Sequence, residues 1–412
     1  MASEWNEFCY TLDNNNLPEH KRNIITNTLS KGVKRVNRDD FCELEAALSD
    51  HQNNIYQSDD GYRVKFLDDE TSANQLLKMN EICNPVFQMP DFFENTIPVY
   101  AYSGWYDGGL QSGAIKIFLN NNHPDDKLIL GPWNHAGENY YKNNGLTKSK
   151  FHHTGEVMKF FDYHLKGKKE PLGDDAKVHY YTLIENKWKS ADTWPPKGLE
   201  NKVFYLADDS SLTTQKNDYQ TAVHKMDTTA SSDTYSRWNF MYHKKTAKTP
   251  SVGDRDGKAI LHLSDVLTED LEITGHSEIK LFLEANNEEM NLFVYLEDVH
   301  PDGSVYPIAD GLLRTLHKKV IPDEEASIKS LPFYRSFKKS DAEKLSNNEP
   351  SEVRIPLSPV SYLVKKGHKI RLSIAASDTL YYRNLPYPAD TIRLYKDKNF
   401  PSQLLLSVMP SQ

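Results

Sequence analysis

The sequence predicts a chain of mixed class, in which an α/β segment is followed by an all-β domain. Residues 97–167 alternate short apolar strands with segments of helical periodicity, a pattern typical of a parallel sheet covered by helices. From about residue 178 the apolar runs become short and numerous, and most are separated by Gly, Pro, Asp or Asn. This second pattern predicts an antiparallel β-sandwich or jelly roll.

The first 95 residues are predicted to be mainly helical. Phe41, Leu44 and Leu48 recur at helical spacing, and Asp40 stands where a helix cap is expected. A second helix is predicted over 72–83. The predicted domains are a helical segment at 1–95, an α/β segment at 96–170 and a β-sandwich at 171–412.

Composition excludes several classes of protein. The 412 residues suffice for two or three domains, and the net charge of −9 comes with no basic patch, which argues against a nucleic-acid partner. The N-terminus lacks the pattern of a signal peptide, and no apolar run approaches the ~20 residues that cross a bilayer. The three cysteines form no zinc or disulfide pattern. We therefore expect a cytoplasmic protein with no membrane contact.

Two tryptophan-bearing motifs contain the candidate catalytic residues. SGWYD ends at Asp107 and GPWNH ends at His135, and each motif follows a short apolar strand. Ligands of open α/β sheets bind at the carboxyl ends of the strands, where both residues should lie. Either residue alone is explained as an ordinary turn or loop residue. Together they suggest the last two members of a Ser…Asp…His triad, in the chain order of α/β-hydrolases.

The expected nucleophile is missing from its usual context. The motif G-x-S-x-G does not occur in the chain, and GLQSG at 109–113 has the wrong spacing and follows the acid. Ser103 is adjacent to the acid loop but lies on the acid's own strand. The serine is therefore expected from a segment encoded upstream.

Long strings of the sequence resemble a known family. GWYDGGLQSGAIKIFL, LILGPWNHAG and EVMKFFDYHLKG are similar to the second half of the CocE/NonD serine hydrolases, the group of cocaine esterase and the Xaa-Pro dipeptidyl-peptidases. YLEDVHPDGSVYPIADGLLR and KKGHKIRLSIAASD resemble the C-terminal jelly-roll domain of that family. The resemblance covers about residues 40–410.

The resemblance implies a fold and a reaction. The fold would be a partial α/β-hydrolase sheet with a helical cap remnant, followed by a jelly roll, and the chain would begin inside the cap. Asp107 and His135 would be the triad acid and base for hydrolysis of an ester or a peptide bond after proline, with no metal and no organic cofactor. Weak candidates for substrate binding are Trp105, Tyr106 and Trp133. The expected partners are a small ester or peptide substrate, an upstream-encoded half that carries the serine, and a second copy of the chain.

Two alternatives to an active hydrolase stay open. The chain could be an inactive product of a truncated or split gene, or its jelly roll could be a binding module for carbohydrate or protein.

Other candidate sites have simpler explanations. His152, His153 and Glu156 could hold a metal ion, but a solvated helix start explains them more simply. Trp188 and Trp194 could stack against a sugar, but aromatic residues buried at a domain junction are the simpler interpretation. Asp298, Asp302 and Asp310 could bind calcium, but turn chemistry explains them without an ion.

Overall fold

The structure is a computed structural model that divides into two compact units. One unit contains residues 1–89 and 337–340, and the other contains 90–336 and 341–412. The residues described are 9–17, 22–23, 42–52, 64–70, 97–137, 151–168, 175–232, 236–238 and 252–410. The helix predicted over 72–83 and the predicted cap at Asp40 lie outside these ranges.

The smaller unit contains the helix α1 (Cys42–His51), in the segment where helical periodicity predicted it. A turn follows at 65–69, where the carboxylate of Asp69 accepts hydrogen bonds from the backbone N–H groups of Lys65 and Phe66, at 2.7 and 2.9 Å. The backbone N–H of Leu67 donates to the carbonyl of Phe337, at 2.8 Å, which ties this turn to the 337–340 segment.

The larger unit begins with a four-stranded sheet in the order β1-β2-β3-β4. β1, β2 and β3 are parallel, and β4 pairs antiparallel with β3. Every residue of β2 is buried, as expected for a central strand covered on both faces. The strands are β1 (Tyr100–Gly104), β2 (Lys127–Gly131), β3 (Val178–Thr182) and β4 (Lys187–Ala191).

Two helices accompany this sheet at the positions that the sequence predicts. α2 (Leu110–Asn120) follows the acid loop and buries Ala114, Ile115 and Phe118. α3 (His153–Lys166) ends at Gly167, whose φ of 65° is the left-handed conformation that favours glycine at a helix end. The helices in the described ranges are too short or too polar to cross a lipid bilayer.

The remaining strands, β5 to β17, form the predicted β-sandwich, which is held mainly by antiparallel pairs. β11 pairs with β12 and β15, and β10 pairs with β13, β16 and β17. The strands are β5 (Glu200–Leu206), β6 (Ser211–Thr213), β7 (Ala222–Lys225), β8 (Ile260–Ser264), β9 (Leu271–Gly275), β10 (Glu278–Ala285), β11 (Asn291–Val299), β12 (Val305–Arg314), β13 (Ser351–Pro356), β14 (Val360–Val364), β15 (Lys369–Ala375), β16 (Thr391–Tyr395) and β17 (Gln403–Val408).

One strand lies in a different sheet from the one that its sequence context suggested. The run VHYYTLI at 178–184 falls in the segment 171–412 that the sequence predicts to be the sandwich, but β3 pairs in parallel with β2, with Leu128 opposite Val178. The reason is physical: a short apolar run specifies a buried strand but not its neighbour, and here the parallel edge of β2 is the partner.

The two sheets meet directly. The backbone N–H of Leu183, just after β3, donates to the carbonyl of Ser361 at 2.8 Å, and the carbonyl of Leu183 accepts from the N–H of Leu363 at 3.0 Å. The hydroxyls of Thr182 and Ser361 also form a buried hydrogen bond of 2.9 Å. One continuous apolar core runs from Ala101 in the first sheet to Val408 in the sandwich.

Candidate active site

The site is built from the loops that follow β1 and β2. The N–H of Trp105 donates to the carbonyl of Gly131 at 2.9 Å, and the N–H of Tyr106 donates to the carbonyl of Trp133 at 3.3 Å. These bonds continue the pairing of the two parallel strands beyond their ends. As a result, the segments that lead to Asp107 and His135 run side by side.

Trp133 anchors the loop that follows β2. The residue is 2% exposed, and its ring stacks on that of Tyr102 with the ring centroids 5.2 Å apart. A Cβ on Gly104 would lie 1.9 Å from the carbonyl oxygen of Trp133, and a Cβ on Gly131 would lie 2.1 Å from its ring. Only glycine fits at both positions, which explains why each motif contains a glycine at the end of its strand.

Asp107 and His135 are in direct contact, as their positions after adjacent strands lead one to expect. Nδ1 of His135 lies 2.9 Å from Oδ1 of Asp107. The Asp107 side chain is 12% exposed, whereas the His135 side chain is 55% exposed. Burial raises the pKa of the Asp107 carboxyl above its ordinary value, and the hydrogen bond and positive charge that His135 can supply partly offset this rise.

This geometry suits a histidine that exchanges protons. A carboxylate that accepts the Nδ1 proton sets the tautomer in which the opposite nitrogen, Nε2, is a free base. Among the described residues, His135 forms its hydrogen bond through Nδ1 alone, and its exposure leaves the other side of the ring open to solvent.

A recess lies beside the acid loop. Two of the three weak candidates for substrate binding, Trp105 and Tyr106, line it, whereas Trp133 is buried among Tyr102 and Phe151 instead. The remaining wall comes mainly from the sandwich and includes Arg237, Tyr295, Asp310 and Pro359.

Of the polar groups of this recess, the sequence pointed only to Asp310, and only as a possible calcium ligand. Arg237 donates through Nε and Nη2 to the carboxylate of Asp310 and through Nη1 to the carbonyl oxygen of Gly108, next to the acid. Deeper in the wall, the buried Glu297 accepts from both Arg255 and Arg371. The sequence separations between these partners are too long for any local motif, so no signal in the sequence predicted the pairings.

In the described ranges, the histidines at the start of α3 and Glu156 do not come together as a metal site. His153 contacts the hydroxyl of Tyr102 and the carbonyl of Gly137, whereas Glu156 accepts from the hydroxyl of Tyr100. Within the described ranges, these groups therefore serve separate partners.

The residues of the other two candidate sites, the sugar-stacking platform and the calcium site, do not come together either. Trp194 is 1% exposed and packs on Trp105, whereas Trp188 lies at 36% exposure beside Phe151, so the two rings form no shared platform. The three aspartates considered for calcium have different partners: Asp302 accepts from Ser304, Asp310 pairs with Arg237, and Asp298 contacts His368.

Comparisons with known proteins show the family to which the chain belongs. The profile of the X-Pro dipeptidyl-peptidase C-terminal non-catalytic domain matches residues 172–404, and that of the S15-family X-Pro dipeptidyl-peptidases matches 34–137. The chain belongs to the CocE/NonD family of hydrolases.

Particular relatives agree with this assignment. A Mycobacterium bovis protein named as a serine esterase is 37% identical over 315 residues, which are 76% of this chain and 50% of that protein. The cocaine esterase of a Rhodococcus species is 23% identical over 299 residues, covering 68% of this chain and 49% of the esterase. A CocE/NonD family hydrolase from Staphylococcus aureus has a similar fold, with a TM-score of 0.62 at 17% identity over 88% of this chain and 61% of that one. The chain spans about half the length of the curated relatives it matches.

Proposed function

We propose that this chain supplies the acid and the base of a serine-hydrolase active site that cleaves carboxylic esters. The observation that carries the proposal is the contact of 2.9 Å between Nδ1 of His135 and Oδ1 of Asp107, at the ends of two adjacent parallel strands. The buried carboxylate and the exposed imidazole have the roles that a triad requires, since the acid must stay fixed while the base meets the substrate.

In the reaction, Nε2 of His135 takes the proton from a serine hydroxyl as that oxygen attacks the ester carbonyl. The imidazolium then gives this proton to the departing alkoxide, which leaves an acyl-enzyme. Water then attacks the acyl group while Nε2 of His135 takes one of its protons, and the imidazolium returns that proton to the serine oxygen as the carboxylic acid leaves. Asp107 stays ionised throughout and stabilises the positive ring.

An ester is favoured over a peptide because the two named relatives at the sequence level, from Mycobacterium bovis and Rhodococcus, both carry esterase names. In this proposal, the acyl or the alcohol part of a small ester lies in the recess beside the acid loop, against the rings of Trp105 and Tyr106. Arg237, which spans from this recess to the carbonyl of Gly108, would hold the acid loop against the sandwich.

We propose that the attacking serine comes from a segment encoded upstream of these 412 residues that carries a G-x-S-x-G motif, either in frame with them or as a separate polypeptide. The proposal rests on the sequence, in which every serine lies outside that motif.

The test is to co-express the chain with the polypeptide encoded immediately upstream and to measure hydrolysis of p-nitrophenyl butyrate. Asp107→Asn should lower kcat by about 10⁴, because the amide favours the wrong imidazole tautomer. His135→Ala should cause a loss of at least the same order. His179→Ala is the matched control, because it removes another His–Asp contact of 2.9 Å, on β3, and should leave kcat unchanged.

A fluorophosphonate probe should label the serine of the co-expressed partner and no residue of this chain. Stoichiometric labelling of a serine in these 412 residues would overturn the assignment of the nucleophile. Losses of tenfold or less in both variants, with the fold intact, would overturn the roles of Asp107 and His135.

A further inference from the structure

Three side chains of types that can bind a metal ion lie close together in the sandwich. Asp298 lies near the end of β11, His300 follows in the turn to β12, and His368 lies in the turn before β15. One ligand atom from each residue lies within 4.8 Å of the other two. The cluster uses none of the residues assigned to the hydrolase site.

The carboxylate of Asp298 is the centre of this cluster. Its Oδ1 lies 2.8 Å from Nδ1 of His368, and its Oδ2 lies 3.5 Å from Nε2 of His300. The two imidazole rings lie side by side, with centroids 4.2 Å apart. The hydroxyl of Tyr362 donates to Oδ2 of Asp298 at 3.0 Å and fixes the orientation of the carboxylate.

One atom of the cluster has no hydrogen-bond partner of ordinary length among the described residues. Nε2 of His300 is buried, and it lies 3.5 Å from Oδ2 of Asp298, a distance longer than an ordinary hydrogen bond. Buried polar atoms without a partner are uncommon, and one aimed at a carboxylate and a second imidazole indicates a missing ligand. A purely structural His368–Asp298 pair leaves this third donor unexplained.

We propose that Asp298, His300 and His368 form a zinc site. Two imidazoles and one carboxylate are a donor set that Zn²⁺ favours, with a water molecule in the fourth position. Exposures of 22% for His300 and 14% for His368 give the ion a path from solvent, whereas Asp298 is fully buried.

The backbone holds the donors in place before any ion arrives. The N–H of His300 donates to the carbonyl of Ser304 at 2.9 Å, which closes the hairpin turn. The N–H of His368 donates to the carbonyl of Lys365 at 3.1 Å, in a turn where Gly367 takes a φ of 88°. Tyr362 supplies the outer hydrogen bond that tunes a ligating carboxylate.

Proton balance at this site is simple. Each imidazole must offer a lone pair, so the proton on Nδ1 of His368 moves to its Nε2 through solvent when the ion binds. The His368–Asp298 hydrogen bond is then replaced by two bonds to the metal, and no electron is transferred.

The test uses the untagged full chain, stripped of metal with a chelator and titrated with ZnCl₂ by calorimetry. We expect one equivalent of zinc per chain, and a Co²⁺-loaded sample should show the visible absorption bands of a four-coordinate ion. His300→Ala should weaken zinc binding by at least about 100-fold, because a ligand is lost, and Tyr362→Phe by about 10-fold, because an outer-shell bond is lost. His179→Ala, which removes a histidine from another His–Asp pair, should bind zinc as the native chain does.

Melting curves separate a metal ligand from a structural histidine. Zinc should raise the Tm of the native chain but not that of His300→Ala, and the two metal-free Tm values should agree. The proposal is overturned if the native chain binds no zinc, if His300→Ala binds it equally well, or if His179→Ala loses it. The proposal is also overturned if His300→Ala lowers the Tm of the metal-free chain by as much as it lowers the Tm of the zinc-loaded chain.

Discussion

Asp107 is held in an environment that disfavours its own charge. Its side chain is 12% exposed, and burial raises the pKa of its carboxyl against the opposing effect of His135. A surface aspartate would have no such penalty. The protein therefore keeps at this position a carboxylate that destabilises the fold when ionised, which is common where function rather than stability selects a residue.

Asp107→Asn should consequently stabilise the chain at neutral pH. Because the pKa of Asp107 is raised in the folded state, its contribution is most favourable below the ordinary carboxyl pKa and is lost as the pH rises through the folded pKa. The variant should melt higher than the native chain at pH 7, by on the order of 1 °C, and the difference should shrink toward zero as the pH falls to about 4. A lower Tm for the variant at pH 7 would contradict this view of Asp107.

The glycine at the end of β2 makes a second prediction at this scale. Gly131→Ala should destabilise the chain by about 3 kcal/mol, because its Cβ would lie 2.1 Å from the buried Trp133 ring. Gly113→Ala is the matched control: nothing lies within 4 Å of its Cβ in α2, and alanine should stabilise the helix by about 0.5–1 kcal/mol. Urea denaturation measures the change in the free energy of unfolding for both variants. If the two changes are equal, the Trp133 ring moves aside for the new Cβ and the prediction is wrong.

The sequence predicted that Asp107 and His135 lie close together, but for a clear reason it did not predict the partners of Asp310 and Asp298. Asp107 and His135 were found because each ends a short motif after a strand, and neighbouring strand ends meet. Arg237 reaches Asp310 across 73 residues, and His368 reaches Asp298 across 70. Such contacts depend on how strands are ordered in the sandwich, which no local pattern records.

At the scale of elements, α3 presents an apolar stripe that its periodicity predicted to be its packed side. Only Phe160 is buried, whereas Val157, Phe161 and Leu165 are 42%, 47% and 76% exposed. Within the described part of the chain, β1 pairs with β2 alone, so the sheet has an open edge as well. Contiguous apolar surface of this kind marks an interaction face.

We therefore expect the chain to associate through this stripe. The double variant Phe161→Glu and Leu165→Glu should reduce both self-association in light scattering and the binding of a hydrophobic dye. Tyr387→Glu is the control, since its ring is 82% exposed but lies outside the stripe. If the control reduces association as much as the double variant, net charge and not the stripe is responsible.

The strands were predicted better than their partners. Seven short apolar runs after residue 177 are strands in the structure: VHYYTLI, VFYL, AILHL, EIKLFLEA, NLFVYLEDV, KIRLSIAA and QLLLSVM. Alternating apolar residues and turn signals suffice for that much. These signals do not determine which strand a given strand pairs with. For this reason the sequence places β3 in the sandwich, although it pairs with β2.

At the scale of the whole molecule, the α/β sheet and the sandwich share their interior. Trp105 donates from its ring N–H to the carbonyl of Tyr181 at 2.7 Å, and Leu183 bonds to the backbone of β14. Apolar residues of β1, β2 and α2 belong to the same core as those of β10 and β17. Separating the two parts would expose apolar surface at roughly 25 cal/mol per Å² and leave buried polar groups without partners.

Limited proteolysis tests this continuity. The sequence alone favours a resistant sandwich that begins near residue 171, whereas the shared core favours a longer fragment that begins near residue 90, where the larger compact unit starts. We expect the longer fragment, because a cut near 171 would strip β1 and β2 from β3 and uncover the core that they complete. Mass spectrometry of the fragment that survives a trypsin time course reads its first residue directly. A stable product that begins near 171 and keeps a cooperative melt would show that the sandwich folds without β1 and β2.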